Sequence, residues 1–150
     1  MATVEQTMMK VQRIMTGPMG LQVMLQGDRF RITFQDTSTF LIVRVHEWGK
    51  DDEGNPRSVV LVTAPILNEV DPSPQLFEWI ARQGGSRWFG HVEAHDAGDS
   101  GKLNLIFSHT LLGDYLDQPE LETAMWGILS VANGWDEELQ QEFGGRRADE

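Results

Sequence analysis

The stretch Phe40-Leu-Ile-Val-Arg-Val-His-Glu47 decides the fold, because apolar residues recur at alternate positions from Leu41 to Val45 and its first half is apolar throughout. Successive side chains of a strand point to opposite faces, so the run divides into two sets of alternate residues. These sets are Leu41, Val43 and Val45 on one face and Phe40, Ile42, Arg44 and His46 on the other. The run therefore predicts a strand whose start is apolar on both faces of the sheet.

Two similar runs flank this strand. In residues 30–35, Phe30, Ile32 and Phe34 alternate with polar residues, which is typical of a strand with one face in water. Ser58-Val-Val-Leu-Val-Thr-Ala64 is β-branched and apolar on both faces. The polar connections 36–39 and 49–56 are short, so the three runs predict consecutive antiparallel strands.

Three segments show helical spacing and end signals. The first runs from Thr3 to about Met15 and stops at Gly17-Pro18; the segment from Leu21 to Leu25 after it fits either a short extended piece or a further turn. The second follows the Ser73-Pro74 cap, and the third follows Asp117. The helices are predicted to end at Gly84-Gly85 and at Gly144-Gly145 respectively.

A hairpin is predicted between the second and third helices, from Trp88–His95 and Lys102–His109 joined by a glycine-rich turn. Strands and helices then do not alternate one for one, which argues against a parallel sheet. We expect an α+β fold with one antiparallel five-stranded sheet, helices mainly on one face, and the order α-β-β-β-α-β-β-α. Residues 1–145 would form one domain and residues 146–150 a polar tail.

Composition limits the possible functions. The 150 residues include no cysteine, which removes thiol nucleophiles, thiolate metal sites and disulfides, and suits a reducing cytoplasm. The first residues lack the pattern of a signal peptide, and no window is apolar for the length of a bilayer, so a soluble cytoplasmic protein is predicted. A net charge of −11 disfavours nucleic acid and favours a partner that carries a basic segment.

The predicted order of elements resembles the type III secretion chaperone fold and the related YbjN domain over almost the whole chain. The segment Val131-Ala-Asn-Gly-Trp-Asp-Glu-Glu-Leu-Gln-Gln-Glu-Phe-Gly-Gly145 is similar to the ending of actinobacterial members of this group. It departs from them at Asn133-Gly134-Trp135, where members tend to carry Ala-Asp and an aliphatic residue, so a bend of the last helix is one possibility there. The resemblance implies a chaperone-like, peptide-binding role without catalysis, often in a homodimer, and it does not imply a secretion system.

Candidates for chemistry are few. Gly98-Asp-Ser-Gly101 looks like a serine-protease motif, but Lys102 replaces the next glycine, so a hairpin turn explains it better. His91, Glu93 and His95 share one face of a strand and His109 ends the next, so a metal- or ligand-binding enzyme is the alternative function. His91 and His95 would be about 13 Å apart on a straight strand, too far to hold one ion. We therefore predict no catalytic residues, no metal site and no cofactor.

The apolar surplus on the central strands is the more useful feature. If Leu41, Val43 and Val45 face the helices, Phe40 and Ile42 emerge on the opposite face, joined by either Val59 and Leu61 or Val60 and Val62. Such a patch needs a cover, which is a client segment, a second copy or the first helix. Methionines of the first helix could add an adaptable surface, although core packing also explains their spacing. The predicted partner-binding residues are Phe40, Ile42, Val60, Val62, Met8 and Met15; a purely structural dimerisation module is a further alternative.

Overall fold

The computed structural model describes residues 3–150, so the first two residues of the predicted domain lie outside the described range. The chain forms an α+β fold. Its helices are α1 (Val4–Thr16), α2 (Pro74–Gln83) and α3 (Gln118–Phe143), and its strands are β1 (Val23–Gln26), β2 (Arg29–Ile32), β3 (Leu41–Lys50), β4 (Pro56–Val70), β5 (His91–Asp96) and β6 (Leu103–Leu112).

One antiparallel sheet contains all of these strands, in the order β1-β2-β3-β4-β6-β5. The antiparallel α+β prediction is confirmed, but the sheet has six strands and not five. The additional strand is β1, which pairs with β2 through a tight turn so that Met24 lies opposite Arg31. The sequence left Leu21 to Leu25 open between an extended piece and a further turn, because this strand is only four residues long and mostly exposed, and therefore lacks a clear alternation of polar and apolar residues.

The helices pack on one face of the sheet, which we call the inner face. The α1 hydroxyl of Thr7 forms a 2.7 Å hydrogen bond with that of Ser58 on β4. In α3, Trp135 meets Phe107 of β6 edge to face at 5.5 Å, and Trp79 of α2 meets the same indole at 5.1 Å. Leu41, Val43 and Val45 of β3 are buried beneath this layer. Burying apolar side chains between helices and sheet supplies most of the stability of such a domain.

Local signals explain where the helices begin. Thr3 and Gln6 form a reciprocal capping box at α1, Ser73 accepts a hydrogen bond from the Leu76 amide at α2, and Asp117 accepts one from the Glu120 amide at α3. These caps satisfy backbone amides that have no partner in the first turn of a helix.

The last residues are held against the sheet. Arg146 exchanges two backbone hydrogen bonds with Asn68, at 2.7 and 2.8 Å, and its guanidinium forms an ion pair with Glu69. Glu150 accepts a hydrogen bond from Gln140 of α3. Within residues 3–150, no helix combines the length and the apolarity that crossing a bilayer requires.

Candidate functional site

The face of the sheet opposite the helices, which we call the open face, is the candidate site. Its composition follows from the strand register, because residues directly opposite each other on neighbouring strands share a face. Four cross-strand rows result. They are Met24-Arg31-Ile42-Thr63-Ser108-His91, then Gln26-Arg29-Arg44-Leu61-Thr110, then His46-Val59-Leu112, and finally Pro65-Ile106-Glu93.

A continuous band of apolar side chains crosses the middle of the open face. We call it the apolar stripe, and it consists of Ile42, Val59, Leu61, Pro65, Ile106 and Leu112. The first five of these side chains are partly exposed, and 57% of Leu112 is exposed. Neighbours on adjacent strands are close enough for side-chain contact, both directly opposite and along the diagonal. The stripe is therefore one contiguous surface rather than scattered residues.

Arginines border the stripe on β2, β3 and β4. Arg29 and Arg44 are directly opposite each other, and Arg31 lies two residues from Arg29 on the same face. The guanidinium carbon of Arg31 is 3.8 Å from the centroid of the Phe40 ring, a cation–π contact. Arg57, further along β4, lies 5.6 Å from the ring of Trp48. We call Arg29, Arg31, Arg44 and Arg57 the arginine cluster.

A groove continues the open face at the β1 end. Its volume is about 470 Å³, and Arg31 belongs both to its wall and to the arginine cluster. The exposed side chain of Met24 adds an apolar surface there. The lining residues are Gln22, Val23, Met24, Gln26, Arg31 and Thr33.

The structure places the predicted partner-binding residues in two environments. Phe40 and Ile42 lie on the open face, where both are partly exposed. Val60 and Val62 are fully buried on the inner face, because they are in register with Val45 and Val43. The residues that accompany Ile42 are the alternate set, Val59 and Leu61, which replace Val60 and Val62 in the candidate site.

The first helix neither covers the open face nor adds to it. In α1, Met15 is fully buried and Met8 is partly buried against the core, because this helix packs on the inner face. The sequence left cover by the first helix as one alternative, and the geometry removes it. It also removes Met15 from the accessible surface of this structure.

Sequence reasoning missed the arginine cluster. Its signal was available, since Arg29 and Arg31 occupy the polar positions of the alternation that identified β2. The sequence did not supply the register, which brings Arg44 opposite Arg29 and places Arg29, Arg31 and Arg44 beside Ile42.

The histidines do not gather into one site. His91 and His95 of β5 each form a hydrogen bond with Glu93, at 2.7 and 3.0 Å, on the open face. His109 lies on the inner face opposite Val62, where its Nδ1 accepts a hydrogen bond from the Gly90 amide at 3.2 Å. Among residues 3–150, no three histidine, aspartate or glutamate side chains are grouped to hold a metal ion. The alternative based on these histidines therefore lacks its geometry.

The pKa values at this edge of the sheet follow from local contacts. Burial alone would raise the pKa of Glu93, but hydrogen bonds from His95 and His91 outweigh it and leave the pKa below its usual value. Burial lowers the pKa of His109, and the charge of His91 lowers it further. Both shifts keep the native charge states at neutral pH, with Glu93 ionised and His109 neutral.

The turn 98–101 is structural. Ser100 donates its hydroxyl hydrogen bond to the Ala97 carbonyl at 2.7 Å and accepts one from the Lys102 amide. The hydroxyl thus stabilises the β5–β6 hairpin, as the sequence predicted for this motif.

The fold and the bare sheet face define a class, the small α+β domains of chaperone type. Residues 6–150 match the family described as T3SS (YopN, CesT) and YbjN peptide-binding chaperone 1, TY-Chap1, and the chain belongs to this family. The crystal structure of YbjN from E. coli is similar with a TM-score of 0.59 at 13% identity, over 90% of this chain and 93% of that one. This likeness shows a shared fold. No curated protein matches the sequence. The resemblance drawn from the order of elements and residues 131–145 is confirmed.

Proposed function

We propose that the protein binds a segment of another polypeptide on its open face, without catalysing a reaction. The observation that carries the proposal is the apolar stripe, which no helix of residues 3–150 covers. Membership of a peptide-binding family supports the same conclusion. A soluble protein seldom leaves a contiguous apolar surface of this kind open to water without a partner for it. We place this activity in the cytoplasm, since a cysteine-free chain suits a reducing compartment.

The shape of the stripe suits an extended or helical segment. Ile42, Leu61 and Ile106 are partly exposed between neighbouring strands, so they offer shallow contacts and not a deep cavity. Aliphatic side chains of a client would displace water from this surface, and apolar burial contributes about 25 cal/mol per Å² before the costs of ordering the client are subtracted. Affinity would then depend on a few central anchors.

Self-association is the second part of the proposal, and it uses a different surface. Trp88, in the loop between α2 and β5, is 98% exposed, and with Phe89 it lines a groove against Gly127 and Val131 of α3. Tryptophan is the side chain most often responsible for binding energy in protein interfaces. A homodimer formed here would leave the open face free for a client.

The test of client binding starts from a random-peptide display library, selected on the immobilised protein. Selected peptides are then synthesised with a fluorescent label, and their affinities are measured by anisotropy. We expect Ile42→Asp and Leu61→Asp each to weaken binding by about tenfold or more, because a carboxylate in the stripe would lose its hydration when a client covers it. Both side chains are partly exposed, so the variants should fold, which urea denaturation checks.

The matched control is Met9→Asp, which places the same charge on an exposed apolar position of α1, on the other side of the molecule. We expect it to bind the selected peptides like the wild type. Selected peptides that bind folded Ile42→Asp and Leu61→Asp at full affinity would contradict the proposal, as would a library that yields no binder.

A further inference from the structure

The charge of the open face is opposite to that of the whole protein. The chain has a net charge of −11, with only nine arginines and three lysines. Four of the nine arginines nevertheless belong to the arginine cluster, with Arg29, Arg31 and Arg44 beside the apolar stripe and Arg57 at its end, beyond Val59. Net charge predicts a basic partner, but the field at a binding face depends on the charges nearest to it.

Among residues 3–150, Arg29 is the one member of the cluster that has an acidic partner. Like charges directly opposite each other on neighbouring strands are destabilising, and Arg29 and Arg44 have this arrangement. Asp28 pairs with Arg29 at 3.2 Å, and the hydrogen bond from Arg29, aided by the charge of Arg44, lowers the pKa of Asp28. Within residues 3–150, no carboxylate lies within ion-pair distance of Arg31 or Arg44. Asp28 thus pairs with Arg29 and is influenced by the charge of Arg44, and Arg31 and Arg44 are left without an ion pair.

Arg57 has a donor that lacks a hydrogen-bond acceptor. Its Nε is buried and has no hydrogen-bond partner among residues 3–150. Asp51 lies near enough for the charge of Arg57 to lower its pKa, but hydrogen bonds from the Asn55 backbone and side chain are larger causes. A buried donor without an acceptor is unfavourable in a folded protein.

The contact of Arg31 with Phe40 orients its guanidinium. Stacking on an aromatic ring holds the planar group in one position and leaves its N–H edges free. A guanidinium fixed in this way is suited to two parallel hydrogen bonds with a carboxylate. Because Phe40 and Ile42 are alternate residues of one strand end, the charged and apolar contacts would fall on the same client segment.

We infer that the open face binds an acidic amphipathic segment, with aliphatic side chains against the apolar stripe and carboxylates against the arginine cluster. The inference rests on the proposed function and names the class of its client. A second copy on this face would contact it with the same patch in a two-fold dimer and bring unpaired arginines together. Nucleic acid fits less well, because the protein has a net charge of −11 and repels phosphates, and the centre of the open face is aliphatic.

The test uses two fluorescein-labelled peptides with identical leucines, one with glutamate and one with lysine at every polar position. We expect the Leu/Glu peptide to bind the wild-type protein about tenfold or more tightly than the Leu/Lys peptide, and added salt to weaken that binding. The double variant Arg31→Gln/Arg44→Gln should lose most of this preference. The control Arg13→Gln/Arg82→Gln removes the same net charge from exposed positions of α1 and α2 and should keep it.

Each other outcome overturns the inference. If the two peptides bind with equal affinity and Ile42→Asp abolishes the binding of both, the acidic client is rejected while the proposed function stands. Tighter binding of the Leu/Lys peptide would show that net charge dominates. If neither synthetic peptide binds while library peptides bind through Ile42, the acidic client is rejected and the proposed function stands. A single-stranded oligonucleotide that binds more tightly than both peptides would replace the peptide with nucleic acid.

Discussion

His109 shows how one partly buried side chain couples the fold to pH. Its Nδ1 must be unprotonated to accept the hydrogen bond from Gly90, and burial and the nearby charge of His91 lower its pKa below 6.5. The unfolded chain therefore binds a proton at a higher pH than the native protein does. By linkage, the contribution of neutral His109 to stability is present above the unfolded pKa and is lost as pH falls through 6.5 towards the native pKa.

His109→Gln should reduce the loss of stability between about pH 7.5 and pH 5.5. Glutamine offers an acceptor to the Gly90 amide but does not titrate, so the free energy of unfolding should fall less with acid than in the wild type. Urea denaturation at the two pH values measures the difference. His46→Gln, at an exposed position of β3, is the control and should follow the wild type. A wild-type pH dependence that survives in His109→Gln would contradict the assignment.

The candidate site was predicted in part at the residue scale. The alternation in residues 40–47 correctly places Phe40 and Ile42 on the face opposite Leu41. The same argument fails on β4, because Val59, Val60, Leu61 and Val62 are apolar at every position and period two has no polar set to identify the exposed side. Only the pairing of Val43 with Val62 determines which set faces the helices.

Elements were predicted best where end signals and periodicity agree. The caps at Ser73 and Asp117 and the glycines at 84 and 144 place α2 and α3 correctly. The strand predicted at Ser58–Ala64 is longer in the structure, because β4 continues to Val70 through irregular pairing with β6 that a simple alternation does not describe. Short β1 depends on β2 for its pairing and has little signal of its own.

The segment Asn133-Gly134-Trp135 belongs to a single α3 that runs from Gln118 to Phe143. Side chains in and beside this segment have structural roles. Asn133 accepts a 2.8 Å hydrogen bond from the Ser38 amide, and buried Asp136 bonds with the Ser38 hydroxyl. Trp135 is almost fully buried against Trp79. These contacts hold the helix against the β2–β3 connection and the core, and they explain why a glycine is tolerated between them.

Gly134→Ala should stabilise the protein by about 0.5–1 kcal/mol, because alanine has less backbone entropy to lose in a helix than glycine. A Cβ at Gly134 would meet no atom within 4 Å. Thermal unfolding should shift upward by about 1–4 °C. In the comparison variant Gly127→Ala, the new Cβ would lie 3.3 Å from Phe89 Cδ2, so crowding should offset the gain. Equal stabilisation of both variants would contradict this reading of the helix.

At the scale of the whole molecule, total charge and local charge have opposite consequences. Between two copies, each with a net charge of −11, the long-range interaction is repulsive and added salt screens it. Between the arginine cluster and an acidic client the interaction is attractive, and salt screens that too. The repulsion between copies follows from the composition alone. The attraction for an acidic client could be inferred only from the folded sheet, because four arginines from three strands share one face.

Self-association is therefore predicted to strengthen with salt, while binding of an acidic client weakens. Light scattering after size exclusion, over a dilution series at low and moderate salt, should give a mass approaching twice 16.9 kDa at high concentration, and Trp88→Ser should lower the dimer fraction. Trp88 is almost fully exposed, so its loss should change stability by no more than about 0.5 kcal/mol and leave peptide affinity unchanged. A monomer at every concentration would reject the homodimer, and a dimer unaffected by Trp88→Ser would place its contact elsewhere. Because the two surfaces lie on opposite layers, either result leaves the test of the open face intact.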